Sequence, residues 1–442
     1  MKKGIYRYTY LVLIISCSSF AFYIYNKGKN TVQLPKLQDR NTELSLAADW
    51  PLVQKTTAQL LTEIKKKPGQ NKLYLALAKE YLQEGRVSGN FSYYNEASLE
   101  LIDHVLKIEP KNLDALCLKG TVLMSQHRFE ECKQLMEGVA LENSYNAYVF
   151  GLLTDAHLEL GNYDEAILMA DKMVGLRPDL RSYSRISYLR ELHGDLPGAI
   201  EAIQLAISAG YPGGEETEWA RMILAHLYEN SGDLIHSEEQ YRMALEERPN
   251  YPFALSGLGK IAKAKGILNQ AIQFQLDAIK IMADASFFEE LVELYGLNQE
   301  LDKMNEYAQL TINSLKKDNQ IAYKDQKKGH FSDRELAKLY LSIKDYKNAL
   351  EYSKRDYERR PMNIESCEIL AWSYYNLGQF SELKPLIEKA MRTNYKNPEF
   401  LARIGIMQNA IGNQSLGLEL IKSAFAKKPY LDTELEAAIW ML

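Results

Sequence analysis

Two sets of side chains in this sequence have the types and spacing to do chemistry. The first is basic and aromatic. Arg181 and Arg185 stand four residues apart and Lys260 and Lys263 three apart, so each pair shares a face if its segment is helical. Tyr148, Tyr188, Trp219 and His226 are interspersed along the same stretch. Guanidinium and ammonium groups beside aromatic rings can hold the carboxylates of a peptide while a ring covers its apolar side chains. The second set is acidic: Glu289 and Glu293, then Glu365 and Glu368. Neither set makes an enzyme. No nucleophile stands with a base, and the glycines occur singly rather than as a G-x-G-x-x-G phosphate loop. The seven histidines include no H-E-x-x-H, and the four cysteines no C-x-x-C, so neither a metal nor a redox cofactor is expected. The net charge of −5 argues against a nucleic-acid partner, which would want a basic domain. Binding of a protein or peptide is the chemistry left.

Such side chains need elements to hold them in line, and the sequence supplies a repeat. A turn signal returns about every 34 residues, clearest in Leu160-Gly161-Asn162-Tyr163-Asp164-Glu165-Ala166. Gly194, Gly232, Gly266, Gly378 and Gly412 mark further copies. Five residues after each turn position comes a usually small residue, as at Cys132, Ala166, Ala199, Ser237, Ala271, Ala349 and Gly417. Farther on, a proline often follows, as at Pro110, Pro178, Pro212, Pro249, Pro361 and Pro429. Each unit reads as two amphipathic helices, because apolar residues recur at helical spacing on both sides of the turn. The glycine closes the first helix in a left-handed conformation, the small residue admits close approach, and the proline ends the second helix.

This pattern resembles the tetratricopeptide repeat. Leu258-Gly259 stands where that family has Leu-Gly, and Tyr228, Tyr295, Tyr340 and Tyr374 stand at its first-helix tyrosine. Tyr241 matches the second-helix aromatic, and Ala206, Ala244, Ala278, Ala390 and Ala424 the late alanine. The resemblance implies an all-α, right-handed superhelical solenoid of about ten helix-turn-helix units over residues 50–442. Two inserts, near Gly85–Asn95 and between Ser314 and Phe331, interrupt the phase, and Met304 and Leu383 depart from the small residue. Each hairpin is expected to pack only on its neighbours, giving a curved rod. In this family the first helices line the concave face. That implication places Tyr148, Arg181, Arg185, Tyr188, Trp219, His226, Lys260 and Lys263 in a partner-binding groove, with Asp155 and Glu159 nearby. The carboxylate clamp of chaperone-binding members does not carry over, since Cys117, Thr121 and Leu152 stand where its Lys and Asn would.

The N-terminus is of another kind. Lys2, Lys3 and Arg7 precede an uncharged run from Tyr8 to Tyr25, about 27 Å as a helix and long enough to span a bilayer. Three readings of residues 1–28 stay open: an uncleaved anchor, a lipoprotein signal lipidated at Cys17, or a signal cleaved after Ser19-Phe20-Ala21. All three send the repeats across the membrane or hold them on it, and the slight excess of positive charge before the run favours the exported, periplasmic or cell-surface side. Residues 29–49 read as a polar linker, Trp50–Lys66 as an amphipathic helix, and Leu431–Leu442 as the start of a last one. The reading is a membrane-tethered, non-enzymatic scaffold. The alternative is a carbohydrate-binding outer-membrane lipoprotein, whose exposed Trp and Tyr would stack on sugars.

Overall fold

The computed structural model of the chain describes residues 34–325 and 328–428. The apolar run, Cys17, Pro429 and the expected C-terminal helix lie outside the described residues. No helix among the described residues is long and apolar enough to cross a membrane.

Every regular element among the described residues is a helix. A short α1 (Thr42–Ser45) and α2 (Trp50–Lys66) lead into ten helical hairpins. These are α3 (Asn71–Ser88) with α4 (Phe91–Ile108), α5 (Leu113–Ser125) with α6 (Phe129–Glu142), and α7 (Ala147–Leu160) with α8 (Tyr163–Leu176). Then come α9 (Leu180–Leu192) with α10 (Leu196–Ser208), α11 (Glu215–Ser231) with α12 (Leu234–Glu247), and α13 (Pro252–Ala264) with α14 (Leu268–Ile281). The last four are α15 (Ala285–Leu297) with α16 (Leu301–Lys324), α17 (Asp333–Ser342) with α18 (Tyr346–Arg359), α19 (Ile364–Asn376) with α20 (Leu383–Ala390), and α21 (Pro398–Ala410) with α22 (Gln414–Lys427).

Each hairpin turns on one left-handed residue. Glycine serves at Gly89, Gly161, Gly194, Gly232, Gly266, Gly378 and Gly412, whereas His127, Gln299 and Lys344 take the same position at a positive φ. An L side chain there costs roughly 1–2 kcal/mol, so packing on either side must hold these three turns in shape. The late alanines Ala206, Ala244, Ala278, Ala390 and Ala424 are completely buried between helices. The departures have local remedies. Opposite Met304, the facing helix carries Gly296, where a Cβ would lie 3.3 Å from the sulfur. Beside Leu383, the second helix starts as a 3-10 turn, Phe380–Glu382, and becomes α-helical only afterwards. The insert after Ser314 mostly prolongs α16, and the rest forms the loop that carries His330 and Phe331.

Two expectations are corrected. First, residues 34–40 are not a spacer. They run extended along α3 and α4, where Tyr81 donates its hydroxyl to the Pro35 carbonyl at 2.6 Å and Tyr93 to that of Lys36 at 2.6 Å. Arg40 is buried, bidentate on Glu84 at 2.8 and 2.7 Å, bonded to Asp49 at 2.8 Å and stacked over Trp50. Beyond it, Asn41 bonds the Ile281 carbonyl and Glu43 pairs with Lys280 at 2.9 Å. A polar composition concealed this, because the groups that look like linker are satisfied one by one against the first hairpins.

Second, the rod coils back on itself. Ile364 donates its backbone N–H to Tyr163 Oη, 201 positions earlier, at 3.0 Å. Arg360 pairs with Glu159 at 2.7 Å, Asn363 donates to the Glu159 carbonyl, and Arg392 donates to that of Gly161. Asn397 reaches Asn230 at 3.3 Å. A separation near 200 residues is about six repeats, so units on the second turn of the coil rest on units of the first. The turn glycines record this seam. A Cβ at Gly161 would lie 2.0 Å from the Met362 carbonyl oxygen and one at Gly232 2.5 Å from that of Lys427, while at Gly266, Gly378 and Gly412 it would meet nothing within 4 Å.

Gly161→Ala and Gly412→Ala therefore share a backbone penalty of about 1 kcal/mol, and only the first also forces the turns apart. We expect Gly161→Ala to lower stability by about 3 kcal/mol or more and Gly412→Ala by about 1 kcal/mol. Chemical denaturation midpoints read the difference; equal losses would mean that the turns do not touch.

Candidate binding groove

Charged residues on the first helices form a ladder of ion pairs from one unit to the next. Arg185 on α9 is bidentate on Asp155 of α7, at 2.8 and 2.5 Å, and also donates to the Gly151 carbonyl. Arg181 on α9 reaches forward to Glu216 on α11 at 2.6 Å. Lys263 on α13 holds Glu290 and Glu293 of α15, each at 2.9 Å, and Lys260 lies 3.6 Å from Glu290. The ladder goes on through Lys338 of α17 to Glu289 at 3.9 Å, Arg334 of α17 to Glu365 of α19 at 3.0 Å, and Arg403 of α21 to Glu368 at 3.3 Å.

The basic and acidic sets that stand apart in the sequence are thus interleaved in space. Asp155, Glu293, Glu365 and Glu368 were among the acids expected to face the groove, but their pairing with the cations was not foreseen. Glu216, Glu290, Arg334, Lys338 and Arg403 were missed outright. A signal for them exists: opposite charges one repeat apart, at 30 residues for Asp155 and Arg185, 35 for Arg181 and Glu216, and 31 for Arg334 and Glu365.

The aromatic residues are distributed rather than gathered. Tyr148 bonds Thr121 through its hydroxyl at 2.7 Å and lies beneath the Arg181 guanidinium at 5.8 Å. Tyr188 is half-buried against the cluster of Leu158, Tyr163 and Leu192. Trp219 is 39% exposed and meets the Phe253 ring edge-on at 4.9 Å. His226 receives a hydrogen-bond contact from Asn230 at 3.0 Å and lies 3.8 Å from Glu229. The eight residues of the expected site are therefore spread over four first helices, α7, α9, α11 and α13, rather than gathered at one point.

His226 keeps 46% of its side-chain surface and Lys260 39%, although protein surrounds both. Protonation follows from that enclosure. Burial disfavours charge on Lys263, but Glu290 and Glu293 overcome it and raise the ammonium well above its ordinary value. Burial also works against His226⁺, and the Glu229 and Glu191 carboxylates raise it overall. Glu289 is the exception. Burial pushes it up to about 7, and the more distant Lys338 only partly offsets this.

A cleft of about 550 Å³ opens in this lining between Lys79 and Gln83 of α3, Arg181 at the start of α9, and Tyr211 and Glu216 around the start of α11. Its size falls in the range of ligand sites. Tyr211 is 85% exposed at its rim.

Period, left-handed turn residue, buried late alanine and polar inner lining together define an all-helical solenoid of tetratricopeptide-like hairpins. No protein-family model matches the chain, and no curated protein does. Among solved structures, the chain is similar to TTC0263, a thermophilic TPR protein in Thermus thermophilus, at 18% identity, covering 44% of this chain and 97% of that one, with a TM-score of 0.37. It is also similar to the human IFIT1 dimer with PPP-AAAA, at 17% identity, covering 81% and 96%, with a TM-score of 0.42. The APC/C hetero-tetramer Cut9-Hcn1 is another, at 13% identity, covering 84% and 66%, with a TM-score of 0.48.

The raised Glu289 gives a pH signature. Its folded value lies above the unfolded one, so the favourable contribution is complete below about pH 4.5 and is lost as pH rises through about 7. We expect Glu289→Gln to match the parent near pH 4 and to exceed it by about 2 kcal/mol near pH 8. Paired denaturation curves at the two pH values test this; a gain of the same size at both would contradict it.

Proposed function

We propose that this chain is a non-enzymatic scaffold that holds a protein or peptide segment in the hollow of its coil. It is tethered to a membrane through residues 1–28, with the repeats on the exported side. The observation that carries the reading is the ladder of paired charges on the enclosed lining. Each cation there already has a carboxylate, so the lining binds by exchange: a segment carrying both signs displaces pairs such as Arg181–Glu216 and makes its own. Exchange favours selectivity over raw affinity, because a misplaced charge leaves an enclosed ion without a partner. Trp219 and Tyr211 offer rings for the apolar side chains of the same segment. The acidic balance of the chain supports a protein partner over a nucleic acid.

A photo-crosslinking residue placed at Trp219 tests the hollow directly, with the exposed convex position Ile235 as control. In solubilised membranes of the native host, adducts to a defined protein are expected from position 219 and not from 235. Arg181→Ala should lower their yield at least about tenfold, the cost of losing a charged contact in an enclosed site. Equal labelling from both positions, or none from 219, would sink the reading. Mass spectrometry of the mature N-terminus tests the tether: an intact Met1, a lipidated Cys17 or a start just after Ala21 each names one form of export.

A further inference from the structure

The seam between the two turns of the coil carries a grouping that neither the repeat nor the groove uses. His127 stands in the turn between α5 and α6, and His330 in the loop before α17. Their rings lie 3.9 Å apart. Each ring bonds the other loop: His127 Nδ1 to the Phe331 carbonyl at 2.9 Å and His330 Nδ1 to the Ser125 carbonyl at 3.0 Å. A carbonyl only accepts, so both Nδ1 atoms carry a proton, and in the neutral ring each Nε2 presents a lone pair. Glu335, in the first turn of α17, completes the set: one ligand atom from each of the three residues lies within 4.8 Å of the others. Glu335 Oε2 is buried and has no hydrogen-bond partner.

We infer that His127, His330 and Glu335 form a binding site for a divalent transition metal, with zinc as the natural occupant, which clasps the two turns of the solenoid together. Two imidazoles and one carboxylate are an established ligand set for zinc, and a water can fill the fourth position. A backbone carbonyl behind each histidine is the arrangement that fixes tautomer and ring direction in such sites. Tetrahedral bonds of about 2.0–2.1 Å put ligand atoms about 3.4 Å apart, so each pair has to close by at most about 1.4 Å. Two nearby arginines do not leave the site cationic. Arg334 pairs with Glu365 at 3.0 Å and touches the other oxygen of Glu335 at 3.4 Å, and Arg360 pairs with Asp356 and Glu159, each at 2.7 Å.

The site also gives the strained turn a reason. His127 occupies a left-handed position at φ 56° where most units have glycine, so the imidazole is placed at a backbone cost. It gives the insert before Phe331 a reason too, since that loop delivers His330 across a separation of about six units.

The test uses the full chain in detergent, stripped with a chelator and titrated with Zn²⁺ or Co²⁺ alone. One metal per chain is expected, with the visible absorption of a four- or five-coordinate Co²⁺ site and a thermal midpoint that rises on loading. His330→Ala and Glu335→Gln should each weaken Zn²⁺ at least about tenfold, with helical content unchanged. Glu335→Gln keeps both histidine–carbonyl bonds, so it remains informative if His330→Ala misfolds. His127→Asn keeps a residue that tolerates the left-handed turn and should also weaken binding. No saturable one-to-one uptake by the parent chain, or uptake that Glu335→Gln leaves unchanged, would overturn the assignment.

Discussion

The structure depends on the small, constant rotation between one hairpin and the next. Ten units that each turned a little less would make an open arc, and ten that turned a little more would collide. Here the rotation closes a turn in about six units, near the separation of 201 residues between Tyr163 and Ile364. The rotation is set by how closely two helices approach, hence by the completely buried alanines such as Ala206 and Ala244. From it follow the seam, the enclosed lining and the reciprocal histidine contacts. A repeat protein with nearest-neighbour contacts alone behaves as a one-dimensional chain of units. Contacts such as Arg360–Glu159 add a second dimension, so opening one unit on the first turn also loosens its counterpart on the second.

Enclosure changes what a charge does. On an open solenoid, the ladder would be a set of surface pairs worth little each and screened by salt. Inside a coil the same pairs sit in a lower effective dielectric and feel the opposite wall. Glu399 and Lys428, at the far end of the described chain, both interact with Lys263 on α13. This is why Glu289, whose cation is 3.9 Å away, is pushed upward, while Glu290 with two closer lysines is held low.

Much of this was legible in the sequence. The turn glycines, the late alanines and the helix-ending prolines are local signals, each with a backbone or volume reason, and the hairpins fall where those signals put them. The lining was partly legible, since alternate faces follow from helical spacing. What could not be read was anything that depends on summing a rotation over six units. His127 carries no motif beside its own neighbours, and His330 sits in an insert that breaks the phase; they meet only because the coil closes. Arg40 was hidden for a different reason. A polar, proline-containing stretch has the composition of a spacer whether its groups face water or, as here, face Glu84, Asp49 and Trp50.

The seam also separates two kinds of insertion. An insert on the convex or open side of a solenoid is free, because nothing opposes it. One that falls where the next turn of the coil passes must either be tolerated there or make contact. The loop ahead of α17 does the second: it gives up the regular spacing between units and gains two histidine–carbonyl bonds to α5 and its turn. At that place the backbone of His127 is strained, a carboxylate oxygen of Glu335 is buried without a partner, and the arginines nearby are already matched by acids. Each feature alone is a small defect in an otherwise regular coil. Their coincidence within one seam contact is what a ligand would resolve, and it is why the irregular part of this chain carries more chemical information than its repeats.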